Sequence, residues 1–327
     1  MPAAGRRGGE KGDKQVVPPA ELTSYYGLPV VKETVWGPAI PSYLFLGGLA
    51  GASSVLAAGA QLSGYLELAR AAKAGAAGAI SLSMAALVDD LGRPARFVNM
   101  LRVFKVTSPM SVGTWVLSGY TPLALAAAAS ALTGNLPRAG LAATLGAGVL
   151  GPAVASYTAV LLGDTATPGW HEAHRELPYL FTGSAATAAG GLGLVAVPPR
   201  AAAPAARLAV LGAAAELTAE RLIDRRIGPA AAAYRTGRAG ALLRAGQVLT
   251  VTGAAAGAGA ALLGRPSRAA AVLAGAALLA GSAVTRFGVF EAGRASARDP
   301  KYTVEPQRER LREAVSPAAG APGSSGT

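Results

Sequence analysis

The sequence predicts an all-α, polytopic transmembrane helix bundle of about eight spans, arranged as two four-helix bundles with both termini on one side. Three observations predict it. First, 51% of the 327 residues are hydrophobic and only 15% are charged; ordinary globular chains carry about 25% charge. Second, the mean hydropathy is +0.37. Third, the apolar residues fall into runs, each near the ~20 residues that cross a hydrocarbon core. Backbone groups in lipid must be satisfied internally, so such runs are helices. Their richness in Ala and Gly suits helices whose backbones approach closely.

The runs cover about 40–62, 75–91, 110–132, 141–162, 178–197, 207–223, 239–263 and 269–290. Pro38 and Pro41 mark the first helix start. The second run is short and ends in Asp89 and Asp90, and the sixth is the least apolar because it contains Glu216 and Glu220. Gly47-x-x-x-Gly51 and Gly253-x-x-x-Gly257 have the spacing of helix-packing motifs. Three regions follow: a polar tail over 1–37 with an interfacial aromatic segment, a transmembrane domain over 38–290, and a polar, largely disordered tail over 291–327. Arg6 and Arg7 are followed by no nearby apolar stretch, so the first span is expected to act as an uncleaved insertion signal.

The net charge is +12 and the pI is about 10.4. Nucleic acid is the reflex partner for such numbers. Here the Arg residues sit in short loops between apolar runs, so the bilayer is the expected partner and nucleic acid is not. Lys and Arg concentrate on the face that holds the termini. By the positive-inside rule that face is cytoplasmic and the chain is a multi-pass protein of the cell membrane. Most acids and both histidines lie on the same face. Topology explains clustered Arg but not clustered Asp, Glu and His, so chemistry or a protein partner belongs there.

There is no cysteine, so no thiolate-ligated iron–sulfur cluster resides in this chain. His171 and His174 are its two histidines. They are three residues apart rather than on facing helices, so no haem is expected either, and a tight zinc site lacks ligands. Asp89 and Asp90 at a helix end need nearby cations, and Arg93 and Arg96 are at hand. Tyr157, inside a span, needs a partner for its hydroxyl, either a quinone carbonyl or a neighbouring helix. Glu216 and Glu220 are four apart on one helix face. They suit either a proton relay or a salt-bridged interfacial helix end.

These motifs together resemble the NrfD/polysulfide-reductase membrane-subunit family. The resemblance rests on Trp36 with the run from Tyr43 to Gly51, on Asp90-Leu91-Gly92-Arg93-Pro94 with Phe97, on Ser108-Pro109-Met110-Ser111 with Gly113 and Trp115, and on Tyr157-Thr158 with Leu161 and Leu162. It covers about 25–190 well. It implies a haem-free membrane anchor that exchanges electrons between membrane quinone or quinol and an iron–sulfur, ferredoxin-like subunit. That subunit serves a molybdopterin catalytic subunit of the formate dehydrogenase or polysulfide reductase kind. It further implies a quinone ligand at Tyr157, contributions from Glu33, Trp36 and Tyr43, and a proton path through Asp89, Asp90 and Arg93. The residues themselves, apart from the resemblance, add His171, Glu216 and Glu220 as further proton carriers. No catalytic residue and no metal are expected in the chain. Many family members hold their partner on the outer face, so the Arg excess also fits docking of an acidic partner. A secondary transporter and a non-catalytic anchor are the alternatives; the first predicts internal inverted repeats.

Overall fold

The computed structural model describes residues 30–93, 95–262, 267–306 and 308, without the side chains of 260–262. Most of the two expected tails, and Pro94, lie outside the described residues. Eight long helices make up the body: α1 (Ala39–Leu62), α2 (Leu66–Asp90), α3 (Pro109–Thr133), α4 (Pro137–Gly163), α5 (Leu177–Ala196), α6 (Ala203–Arg226), α7 (Gly237–Leu262) and α8 (Arg268–Arg298). Among the described residues there is no strand. The fold is the expected polytopic helical bundle.

Among the described residues, six helices, α1 to α5 and α8, are long and apolar enough to cross a membrane. The other two, α6 and α7, carry charges within their length, Glu216, Glu220 and Arg221 in one and Arg238 and Arg244 in the other. Their outward faces are nonetheless apolar: Val210, Leu211, Val248 and Val251 are exposed. A membrane accounts for such faces, since soluble monomers do not display them in a continuous belt.

The helices form two four-helix groups. In the first, α1 packs on α2 and α4, and α3 on α4; in the second, α5 packs on α6 and α8, and α7 on α8. The groups meet chiefly where α1 lies against α5. Small residues set these contacts. A methyl on Gly51 would collide with the backbone of Gly151, so α1 and α4 cross with main chains touching. A methyl on Gly253 would lie 2.9 Å from the carbonyl of Ala274, which gives the α7–α8 contact the same character. One core cluster runs through both groups and includes Leu44, Val154, Leu162, Trp170, Phe181 and Phe290.

Helix ends show why the boundaries fall where they do. Gly134 closes α3 in the left-handed region at φ 75°, a conformation open to glycine. Arg268, at the start of α8, donates to the carbonyls of Leu194 (3.1 Å) and Val197 (2.6 Å). It thereby satisfies carbonyls that the end of α5 leaves without helical partners. Two helices exceed their expected spans the furthest, by nearly ten residues each. The second begins at Leu66 rather than Gly75, because Lys73 is buried and donates to Gln61 (2.5 Å) instead of ending the helix. The last continues past Phe290 to Arg298, where its arginines hold Glu33 at 2.6 and 2.7 Å. The two ends of the described chain therefore sit together at one end of the bundle.

Candidate functional site

At that end of the first helix group, a cavity of about 120 Å³ opens between α1, α2, α3 and α4. Trp36, Tyr43, Asp90, Phe97, Met110 and Tyr157 are among its lining residues. Its polar feature is a pair of phenols: the Tyr43 and Tyr157 hydroxyls are hydrogen-bonded to each other. Local sequence makes the pair possible. Gly113 on α3 leaves room for the Tyr157 ring, because a Cβ there would lie 2.6 Å from Cδ2. Ser83 on α2 donates to the Tyr43 carbonyl (3.1 Å), fixing that turn of α1. Tyr43 is buried and Tyr157 half-buried, so the second keeps an open side.

The roof is aromatic. Trp36 stacks on Trp170 with ring centroids 5.9 Å apart. Trp170 is fully buried, donates to the carbonyl of Val289 (2.8 Å) and packs on Phe290 at 5.6 Å. Gly293 on α8 gives the indole its place, since a Cβ there would overlap the ring.

Of the residues expected at a site, the fold brings Trp36, Tyr43, Asp90 and Tyr157 to this one cavity. It does not bring Glu33 there. That carboxylate is bound by Arg298 (2.9 and 2.7 Å) and Arg294 (2.6 Å). The hydrogen bond from Arg298 is the main reason its pKa lies below the usual carboxylate range. Asp89 is exposed and lines a separate shallow groove with Gly92. Arg93 is exposed as well, and among the described residues neither aspartate is in an ion pair with it. His171 sits on a short helix, Pro168–Glu172, with Nδ1 3.1 Å from the carbonyl of Gly163.

Glu216 and Glu220 belong to a second polar centre, inside the second helix group. Glu216 is fully buried. Thr285, Arg286, Ser184 and Thr187 face it from α8 and α5, yet none closes a hydrogen bond to either carboxylate oxygen at ordinary geometry. The reason is visible for two of them: Ser184 donates to Ser282 (2.9 Å) and Thr187 to the carbonyl of Gly183 (3.0 Å). Arg286 is equally buried, lies over the Phe181 ring at 3.8 Å and donates to the Phe181 carbonyl (2.5 Å). Its Nε and Nη1 are without a protein partner among the described residues. Sequence reasoning did not single out Arg286, although a cation deep in an apolar run is itself a signal. It also missed Lys73.

A polytopic helical membrane protein with a small aromatic-roofed cavity at one rim is the class that this fold and cavity define. The family model for polysulphide reductase, NrfD, matches residues 30–197. That is just over half of the chain, and the protein belongs to this family. No curated protein matches the chain. Members of the family are membrane subunits of polysulfide reductase-like complexes that partner other redox subunits.

Proposed function

We propose that the chain is the quinone-reactive membrane subunit of such a complex, exchanging electrons between an iron–sulfur subunit and membrane quinone or quinol. The iron–sulfur subunit would in turn serve a molybdopterin catalytic subunit. The observation that carries the reading is the Tyr43–Tyr157 hydroxyl pair in the wall of a ring-sized cavity. A dry cavity of ~150 Å³ holds a benzene ring, so about 120 Å³ matches one ring, with a tail leaving past the exposed Met110 into lipid.

In this reading, Tyr157 Oη donates to a carbonyl oxygen of the ring while Tyr43 Oη donates to Tyr157. Trp36 and Phe97 press on the ring and exclude water. Asp90, also in the lining, exchanges the proton that accompanies electron transfer, and the exposed Asp89 and His171 carry it to the surface, beside the permanently charged Arg93. Quinone, when bound, supplies the two-electron, two-proton chemistry; the chain orients it and handles protons. Glu33 contributes indirectly, by holding the segment that carries Trp36. Glu216 and Glu220 lie in the second helix group, away from this cavity. The partner docks on the face with the chain ends, beside the cavity. We place that face on the cytoplasmic side of the cell membrane, following its Lys and Arg excess.

The test is Tyr157→Phe in the complex purified with its natural companions. Quinol-linked turnover should fall on the order of a hundredfold, while turnover with an artificial donor at the catalytic subunit stays unchanged. Unchanged quinol turnover would remove Tyr157 from the mechanism.

A further inference from the structure

The second polar centre has features that the quinone reading does not use. Glu216 is fully buried with both carboxylate oxygens unpartnered, and the same holds for Glu220 Oε1, Thr285 Oγ1 and Arg286 Nε and Nη1. Buried polar atoms without protein partners are, as a rule, met by ordered water. One turn along α6 from Glu216, Glu220 accepts from Gln247 of α7 (2.8 Å). It also lines a cavity of about 320 Å³ shared with Asp224, Tyr234, Arg235, Arg244 and Gln247. The Asp224–Arg235 ion pair at this cavity is about half exposed on both sides, so its mouth opens on the face that holds the chain ends.

The other direction is closed. Gly183 and Gly212 bring α5 and α6 together so tightly that a Cβ on Gly212 would lie 2.5 Å from the amide of Thr187. Beyond that contact the core is apolar, with Leu56, Leu68, Leu194, Ala205 and Leu278 all buried. Among the described residues, the titratable groups facing Glu216 are Glu220 on its own helix and Arg286 from α8, and Asp224 faces Glu220 in turn. The residues of α5 that face it, Ser184 and Thr187, are hydroxyls. At the opposite end of the bundle, Lys73 is separated from this centre by the apolar cluster and bonded to Gln61.

We propose that Glu216, Glu220 and Arg286 form a one-sided proton site: a buried carboxyl that exchanges protons, through water, with the face carrying the chain ends and not with the other face. The step is a proton shift. Glu220 gives its proton to a bridging water as that water protonates Glu216; Glu220 becomes the carboxylate and takes a proton from water in the outer cavity. Arg286 stays charged, and its free Nε and Nη1 stabilise the deprotonated form of Glu216. The proposal stands on the second helix group alone and does not rest on quinone binding.

The experiment uses the full chain in oriented proteoliposomes. The acid C=O infrared band that disappears in Glu216→Gln is followed after a pH jump on either side. The band should respond to a jump on the chain-end side only, and Glu220→Gln should slow that response on the order of a hundredfold. Equal response from both faces, no response from either, or an unchanged rate in Glu220→Gln overturns the proposal. Should Glu216→Gln fail to fold, carbodiimide labelling of the wild-type chain, read by mass spectrometry, follows the same protonation. An adduct at Glu216 or Glu220 that fades as the chain-end side is made alkaline supports the proposal; an adduct indifferent to that pH, or none, overturns it.

Discussion

Glu33 and Arg298 are joined by two hydrogen bonds, 2.9 and 2.7 Å long, that tie the segment before α1 to the end of α8. Three residues further on in that segment, Trp36 roofs the cavity and stacks on Trp170. Charge at one position thus sets the place of an aromatic ring at another.

Protonation of Glu33 should therefore loosen the roof. Its pKa is depressed in the folded chain, chiefly by Arg298. The stabilisation it contributes is present above the unfolded carboxylate value and lost as pH falls through the folded one. Trp36 and Trp170 are two of the three tryptophans, so tryptophan fluorescence should change on acidification below the usual carboxylate range. Glu33→Gln should show the acid spectrum already at neutral pH. Identical spectra for the two proteins would separate Glu33 from the roof.

Gly113→Ala should act on the cavity while leaving both phenols in the sequence. The added methyl has no room beside the Tyr157 ring, so the ring must shift from Tyr43. Misplacement of about 1 Å can cost a hundredfold in rate. We expect quinol-linked turnover to fall by about that factor while the complex still assembles, measured by co-purification of its partners. Wild-type turnover in this variant would mean that the position of Tyr157 does not matter.

Removing Arg286 alone should be far worse than removing the pair. Without Arg286 the buried Glu216 carboxylate loses the cation that faces it and must take up a proton or stay charged at a cost, whereas replacing both partners by apolar residues is close to neutral. Arg286→Met should thus lower the midpoint of thermal unfolding in detergent sharply. The double variant with Glu216→Met should recover most of the loss. Additive losses would show that the two side chains do not compensate each other.

The helices were largely legible because lipid leaves the backbone one solution over each apolar run. Where the reading fell short, a charge was the cause. Lys73 interrupts the run that becomes α2, and only the fold supplies Gln61 to accept its hydrogen bond. The end of α8 is polar, and only the fold brings Glu33 to its arginines. Arg286 was hidden by the Ala, Leu and Val around it. Tyr43, Trp36, Asp90 and Tyr157 were each legible as candidates. That the Tyr43 and Tyr157 hydroxyls meet was not, since it depends on how closely α1 and α4 cross at Gly51 and Gly151. Glu33 became a candidate through the resemblance, with the rest of the segment before the first span, but its carboxylate turns to α8.

Photolabelling of the complex with an azidoquinone should give adducts on the peptides that carry Trp36, Tyr43 and Tyr157, suppressed by excess native quinone. Adducts confined to α5–α8, or none that quinone displaces, would contradict quinone binding at this cavity.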